Sequence, residues 1–335
     1  MTAHAADTVG QVNSVLREIQ APVRGRLDRV AVEMHDIMTA DLPLIQKVIT
    51  HLLKMRGKLF RPTLALLASA TEGRDDPSAI TLAASLELMH LATLVHDDSV
   101  DHSVLRRGLP TINSMFSHQI SVIMGDLLYS RALRTLVGLG DISILRIVTD
   151  VTNELAIGEM HQLGAIDRLG FTEAEYFALI RAKTASLLAA ACEAGAICGA
   201  PMHQVAMARF GDRLGMAFQI ADDILDYTED ETVTGKPGGL DLRDHKMTLP
   251  LIASLPRMSA AGRARVDELF ASESPPDALV SDVIAIVSDV GGIDAARARG
   301  EPVVQEAEDA LSAIPQSPIR AALIGAIGYV MERRS

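Results

Sequence analysis

The chain has 335 residues and a formal net charge of −12 at pH 7, from 31 Lys and Arg against 43 Asp and Glu. An acidic balance of this size argues against binding to nucleic acid or an anionic membrane through a general basic field. Apolar residues make up 48% and charged residues 22%, which excludes intrinsic disorder and indicates a packed core.

Targeting signals and cysteine spacing lead us to expect a protein of a reducing compartment. The first twenty residues show no cationic stretch followed by an apolar run, so no signal peptide is predicted. The longest chargeless stretch, 108–125, is too polar for a membrane span. Cys192 and Cys198 match neither a disulfide framework nor a CxxC motif. We expect a cytoplasmic protein.

Helix signals dominate from end to end. Asp76-Pro77 and Ser317-Pro318 are typical helix starts, and Thr172 with Glu175 has the spacing of a capping box. Apolar residues recur at three- and four-residue spacing, and strand-like alternation is scarce. The main predicted helices are, in chain order, residues 78–96, 119–139, 172–198 and 205–227. We predict one all-α domain over 1–335, a bundle of roughly a dozen helices.

A cluster of three aspartates occurs twice with the same spacing. The first aspartate cluster is Asp97, Asp98 and Asp101, and the second aspartate cluster is Asp222, Asp223 and Asp226. Residues three and four apart share one face of a helix, so each triplet is expected to point together.

Apolar stretches precede both clusters, which indicates helices entering a core. Like charges there need a cation, and carboxylates without cysteine favour Mg²⁺ completed by water and phosphate oxygens. A single such cluster is more often a solvated acidic helix end. Two copies after apolar helices favour two metal-binding faces that hold a diphosphate between them.

Basic residues flank both clusters. Arg forks onto phosphate oxygens and Lys supplies a point charge, so these positions suit a polyanionic substrate. They are Lys58, Arg61, Arg106, Arg107, Lys183, Lys236 and Lys246.

The chain resembles the trans-isoprenyl diphosphate synthases of the polyprenyl synthetase family. The resemblance rests on RGKLFRP (56–62), MHLATLVHDDSVDHSVLRRGLPT (89–111), GDLLYSRA (125–132), GEMHQL (158–163), KTASL (183–187), FQIADDILD (218–226) and GKPGGLDLRDHKMTLP (235–250). It implies a helical bundle around a deep central cavity, a homodimer, and Mg²⁺-dependent head-to-tail condensation. The substrates would be isopentenyl diphosphate and an allylic diphosphate, farnesyl or geranyl.

The resemblance also implies a role for each site residue. Both aspartate clusters would frame two or three Mg²⁺ ions, with Asp226 acting through water. The allylic diphosphate would lie on Arg106, Lys183 and Lys236, with Lys246 in the closing loop. Isopentenyl diphosphate would bind Lys58, Arg61, His90 and Arg107. Oxygens of Thr184 and Gln219 would lie near the developing cation, and the released diphosphate would take the proton.

Two positions depart from the family pattern. Arg56 stands where a glycine is usual, and His245 stands where a small residue normally precedes the lysine. Both lie on the basic rim, so substrate affinity is the property that we expect them to change.

Small residues precede the first cluster at the position of the family's cavity floor. Ala92 and Thr93 lie five and four residues before Asp97, and side chains on a helix lean toward its N-terminus. We therefore predict an all-trans product longer than twenty carbons, of the kind used for quinone side chains. Larger residues deeper down would stop growth, with Leu127, Leu128 and Tyr129 as candidates.

Four alternatives remain open. One is a short-chain synthase, and another is a metal-dependent phosphohydrolase built on His96-Asp97 with His90 and His102 as further ligands. A terpene cyclase is a third, although the chain has few aromatics to enclose a cation. A regulatory subunit of a heteromeric synthase is the fourth, although such subunits generally lose an aspartate cluster.

Overall fold

The computed structural model describes residues 14–55, 57–228 and 238–331. Residues 14–20 are helical, and a 3₁₀ turn (Ala21–Val23) leads on to the first of the numbered helices. These are α1 (Arg24–Met38), α2 (Pro43–Lys54), α3 (Phe60–Ser69), α4 (Ser78–Val100), α5 (Ile112–Met115), α6 (His118–Gly138), α7 (Ile142–Ala165), α8 (Glu173–Ile180), α9 (Ser186–Gly199), α10 (Gln204–Thr228), α11 (Leu240–Arg243), α12 (Leu249–Ser254), α13 (Ala260–Phe270), α14 (Asp277–Asp289), α15 (Gly292–Ala310) and α16 (Pro318–Met331).

The other regular elements are short. A π-helical turn, Arg181–Ala185, joins α8 to α9, and further 3₁₀ turns lie at Pro201–His203, Leu255–Arg257 and Leu311–Ala313. Strands β1 (Leu105–Arg106) and β2 (Leu109–Pro110) form a two-residue antiparallel hairpin after the first aspartate cluster. The prediction of an all-α fold is confirmed. The helices outnumber the predicted dozen because several are single turns that leave little periodic signal.

Local sequence sets several helix ends as predicted. Thr172 and Glu175 form the capping box at the start of α8, each side chain accepting from the backbone N–H of the other. The Asp76 carboxylate accepts from the N–H of Ser78 at 2.9 Å, which fixes the start of α4. These caps satisfy N–H groups that the first helical turn leaves without a partner.

Helix α4 is the central element of the bundle. It is apolar on all sides and packs against α1, α3, α6 and α9. Helix α4 is long and apolar enough to cross a membrane, but 67% of its most apolar stretch is buried inside the fold, as in the core helix of a globular protein.

Small residues let the inner helices approach closely. A β-carbon at Gly195 on α9 would lie 2.3 Å from the carbonyl oxygen of Ala65 on α3. A β-carbon at Gly215 on α10 would lie 2.4 Å from the Cα of Ala185 in the π-helical turn. Both distances are shorter than real contacts, so only glycine permits this packing. The second contact fixes the π-helical turn, which carries Lys183 and Thr184, against α10 with the second aspartate cluster.

Candidate active site

A cavity of about 280 Å³ opens between the ends of α4, α7 and α10. Its lining includes residues of both aspartate clusters and several of the predicted substrate-binding residues. They are Asp101, Lys183, Thr184, Gln219, Asp222, Asp223 and Lys246. Residues far apart in sequence therefore meet around one space.

The first aspartate cluster divides into two environments. Asp97 lies half-buried at the end of α4, and the exposed Asp101 ends the helix with its N–H bonded to the Asp97 carbonyl at 2.8 Å. Burial, together with the negative charge of Glu159, raises the pKa of Asp97 to about 6. In the metal-free protein Asp97 is therefore protonated more readily than an exposed aspartate.

Asp98 does not share that face. Its side chain is buried, and both of its oxygens accept from Nε of Arg106, at 2.8 and 2.9 Å. The expectation that all three carboxylates point together is wrong for Asp98, because α4 turns this residue toward the hairpin that carries Arg106. The ion pair holds Arg106 beside the site.

The second aspartate cluster is held by a chain of hydrogen bonds. The buried carboxylate of Asp223 accepts from the hydroxyl of Tyr176 at 2.5 Å and from Nε2 of Gln219 at 2.8 Å. The oxygen of Gln219 in turn accepts from the hydroxyl of Thr184 at 2.8 Å. Burial and the charge of Asp241 raise the pKa of Asp223 well above its usual value. The predicted pair Thr184 and Gln219 is thus in direct contact.

Asp226 caps a helix. Its two oxygens accept from the backbone N–H groups of Leu240 and Asp241, at 2.9 and 3.0 Å, at the start of α11. This contact ties α10 to the segment that follows residue 237. Asp226 is therefore not turned into the cavity with Asp222, which is exposed on its wall.

The Lys183 side chain contacts two residues of α7. Its ammonium group lies 3.0 Å from a carboxylate oxygen of Glu159 and donates to the oxygen of Gln162 at 2.7 Å. It projects from the π-helical turn, a distortion that is frequent at functional sites because it redirects a side chain.

Asp241 is a site residue that sequence reasoning missed. It lines the cavity beside Asp222 and Asp223, and its carboxylate lies 3.9 Å from the ammonium group of Lys246. Burial and the charge of Asp226 raise the pKa of Asp241 to about 7. The sequence carried a weak signal, since this acid lies in the stretch (235–250) that carries the resemblance.

A basic cluster lies along α4 from the aspartates, on the same side of the helix, because His90 precedes Asp97 by seven residues. It contains Arg61, His90 and Arg107 around the buried Glu87, while the ammonium group of Lys58 lies 5.7 Å from the ring centre of Tyr329. Burial and the charges of the arginines hold the pKa of His90 well below its ordinary value.

Arg107 is fixed by its donation to the Met55 carbonyl at 2.7 Å, and Gly57 leaves the room that its guanidinium fills. The structure therefore brings together three of the four residues predicted for the second substrate, Arg61, His90 and Arg107, whereas the ammonium group of Lys58 lies against Tyr329.

The predicted floor residues lie inside the fold. Ala92 is 2% exposed, and the hydroxyl of Thr93 donates to the His90 carbonyl of its own helix. Leu128 is buried on α6, which packs along α4, and Leu127 and Tyr129 are half-buried there. None of the five lines the 280 Å³ cavity.

The histidines considered for a phosphohydrolase, His90, His96 and His102, do not form a metal site. His96 points away from the cavity, and its Nε2 donates to the Val122 carbonyl at 3.1 Å on α6. His90 lies among arginines, and the ring centre of His102 is 6.1 Å from that of His118. Within residues 14–55, 57–228 and 238–331, no three His, Cys, Asp or Glu side chains converge as ligands of one ion. The imidazole site that a phosphohydrolase needs is not supported.

The donor chemistry nevertheless fits Mg²⁺. Asp101, Asp222 and Asp241 line one cavity and offer oxygen ligands only, and Asp97 lies one turn before Asp101 on the same helix face. Burial and neighbouring carboxylates raise the pKa values of Asp97 and Asp241. A divalent cation held by these carboxylates would favour their charged forms and would supply positive charge for a diphosphate.

Two residues singled out in the sequence, Arg56 and Lys236, lie outside the described residues.

Comparison with known proteins identifies relatives of different product length. The chain is 36% identical over 289 residues to octaprenyl diphosphate synthase of Haemophilus influenzae, covering 86% of this chain and 88% of that protein. It is also 36% identical over 289 residues to a short chain isoprenyl diphosphate synthase of Methanothermobacter thermautotrophicus, covering 84% and 88%.

A solved structure shows the same fold. The polyprenyl synthase of Caulobacter crescentus, complexed with calcium and isoprenyl diphosphate, superposes with a TM-score of 0.89 at 31% identity, covering 96% of this chain and 98% of that one. The family model described as polyprenyl synthetase matches residues 42–287. With both aspartate clusters and the intervening Lys183-Thr184 inside that match, the chain belongs to the polyprenyl synthetase family.

Proposed function

We propose that the chain is a prenyltransferase that condenses isopentenyl diphosphate with an allylic diphosphate, head to tail, as one domain over 1–335. The observation that carries this proposal is that Asp101 of the first aspartate cluster meets Asp222, Asp223 and Lys183 around one cavity, with a basic cluster around His90 along the same face of α4. The acidic cavity suits a metal-bound diphosphate, and the basic cluster suits a diphosphate without metal.

Each group has a task that follows from its chemistry. Asp97, Asp101 and Asp222 would hold Mg²⁺, which when bound neutralises the diphosphate and makes it a better leaving group. Arg106, Lys183 and Lys246 would contact the diphosphate oxygens directly. Because Asp98 already fixes Arg106, that guanidinium needs little ordering when substrate binds.

Thr184 and Gln219 face the place where the allylic cation develops. Their oxygens are oriented by the bond to Asp223, so they would stabilise positive charge without rearranging. The double bond of isopentenyl diphosphate, held by Lys58, Arg61, His90 and Arg107, would attack that carbon. A proton then leaves to the released diphosphate, and no side-chain nucleophile is needed.

We propose a product longer than twenty carbons, made by a homodimer in the cytoplasm. Support for the length comes from relatives such as the octaprenyl diphosphate synthase, while Ala92 and Thr93 remain the predicted floor although neither lines the 280 Å³ cavity. Support for a dimer comes from apolar residues exposed on α6 and α7, among them Ile123 (66% exposed) and Met160 (69% exposed).

The test is coupling by the purified chain. Labelled isopentenyl diphosphate, Mg²⁺ and either geranyl or farnesyl diphosphate should give polyprenyl diphosphates, which mass spectrometry would size. Asp222→Asn should reduce coupling by about a hundredfold or more, since a metal ligand is lost, while Asp267→Asn on the outer helix α13 should not. No coupling would favour a regulatory subunit, release of phosphate alone would favour a phosphohydrolase, and products of twenty carbons or fewer would refute the length.

A further inference from the structure

Two residues near the cavity adopt a backbone conformation that side chains disfavour. His245, in the segment between α11 and α12, has φ 54°, and Asp167, in the loop between α7 and α8, has φ 62°. Both lie in the left-handed region, where a β-carbon crowds the following carbonyl. Such residues persist when the surrounding contacts fix them.

The two residues fix each other. Nδ1 of His245 is hydrogen bonded to a carboxylate oxygen of Asp167. The imidazole stacks on Phe270 with ring centres 5.3 Å apart and planes at 24°, and only 12% of the His245 side chain is exposed. Its Nε2 is buried and has no hydrogen-bond partner, so the Asp167 contact is the polar interaction that orients the ring.

The joined segments form one side of the cavity. The α7–α8 loop contributes Ile166 and Phe171 to the lining, and the α11–α12 segment contributes Lys246 and Met247. The backbone N–H of Lys246, the residue after His245, donates to the Asp241 carbonyl at 2.8 Å, so the segment that His245 anchors is bonded directly to Asp241 at the cavity.

We propose that His245 is a positioning residue. Its contact with Asp167, here called the clamp, holds Lys246 and Asp241 at the cavity before a diphosphate binds. His245 does not line the cavity, so it acts through these neighbours. A segment ordered in advance loses less conformational freedom on binding, so the clamp strengthens binding of the allylic diphosphate and leaves the chemical step unchanged. This inference rests on the proposed function.

The informative variant is His245→Gly, because glycine adopts a φ of +54° without strain, so the substitution removes the whole side chain without adding a conformational penalty. We expect KM for the allylic diphosphate to rise about fivefold, which corresponds to about 1 kcal/mol, with kcat within about twofold of wild type. KM for isopentenyl diphosphate should not change. Asp167→Gly should have the same effect, and the double variant should be no worse than either single variant.

A matched control exists far from the cavity. His203 and Glu72 form a similar pair with Nε2 and the carboxylate oxygen 2.5 Å apart, so His203→Ala should leave both KM values unchanged. An unchanged allylic KM in folded His245→Gly, or additive effects in the double variant, would overturn the clamp. If wild type couples no substrates, the proposed function fails. Calorimetric binding of inorganic diphosphate with Mg²⁺ to the same variants would still test the clamp, with equal affinities refuting it.

Discussion

Removing the charge of Asp241 should stabilise the metal-free protein. Burial and the charge of Asp226 raise the pKa of Asp241 to about 7, from an ordinary 3.8. A group with a raised folded-state pKa binds its proton more tightly when folded. Its contribution to stability is therefore present below pH 4 and is lost as the pH rises to about 7. Asp241→Asn keeps the shape of the side chain and removes this dependence.

The size of the effect follows from the same values. A pKa difference of about 3 corresponds to about 4 kcal/mol. Because 22% of the Asp241 side chain is exposed and Lys246 lies 3.9 Å away, water and that cation screen part of the repulsion. We therefore expect the variant to be more stable than wild type by about 2 kcal/mol at pH 8 and by less than about 1 kcal/mol at pH 5.

Urea denaturation in EDTA at the two pH values measures this difference. Asp267→Asn, on the exposed side of α13, is the control and should show no pH-dependent change. If Asp241→Asn is no more stable than wild type at pH 8, the repulsion assigned to this cavity wall is refuted. The same variant should lose coupling activity, because the carboxylate that destabilises the metal-free protein is one that substrate binding uses.

Three further predictions concern other parts of the site. Tyr176→Phe removes the donor to buried Asp223 and should lower the free energy of unfolding in urea by about 1–3 kcal/mol, and an unchanged value would contradict the bond. Ala92→Phe should shorten the products seen by mass spectrometry, and identical products would exclude a role in length. His90 stays neutral in the folded state because its pKa is lowered, so below about pH 6.5 the unfolded state binds a proton and stability falls. Wild type should lose about 1–2 kcal/mol more of its free energy of unfolding between pH 7 and pH 5 than His90→Gln does. Equal losses in the two proteins would refute a neutral, buried His90.

Sequence reasoning succeeded where a signal is local. The capping box at Thr172 and the helical periodicity of α4 and α10 depend on neighbours within a few residues, and both appear in the structure. The placement of Thr184 and Gln219 in one site was reached through resemblance, which carries long-range information that periodicity lacks, and their hydrogen bond is seen only in the structure.

Prediction from the sequence failed where a side chain contacts a residue outside its own helix. Asp98 and Asp226 have the spacing of metal ligands, yet Asp98 pairs with Arg106 and Asp226 caps α11. Asp241 was overlooked because a single acid after a glycine-rich stretch has no distinguishing local pattern. Its proximity to Asp222 and Asp223 arises only when α11 folds back onto α10.

The sequence by itself determined the helical class, the two acidic helix ends and the family, because these depend on spacing along the chain. Only the tertiary structure decided which carboxylates face the cavity, which of them bind a neighbour instead, and how the His245 clamp joins two loops. Those outcomes depend on distances between residues far apart in sequence, and packing of α4, α7 and α10 sets such distances.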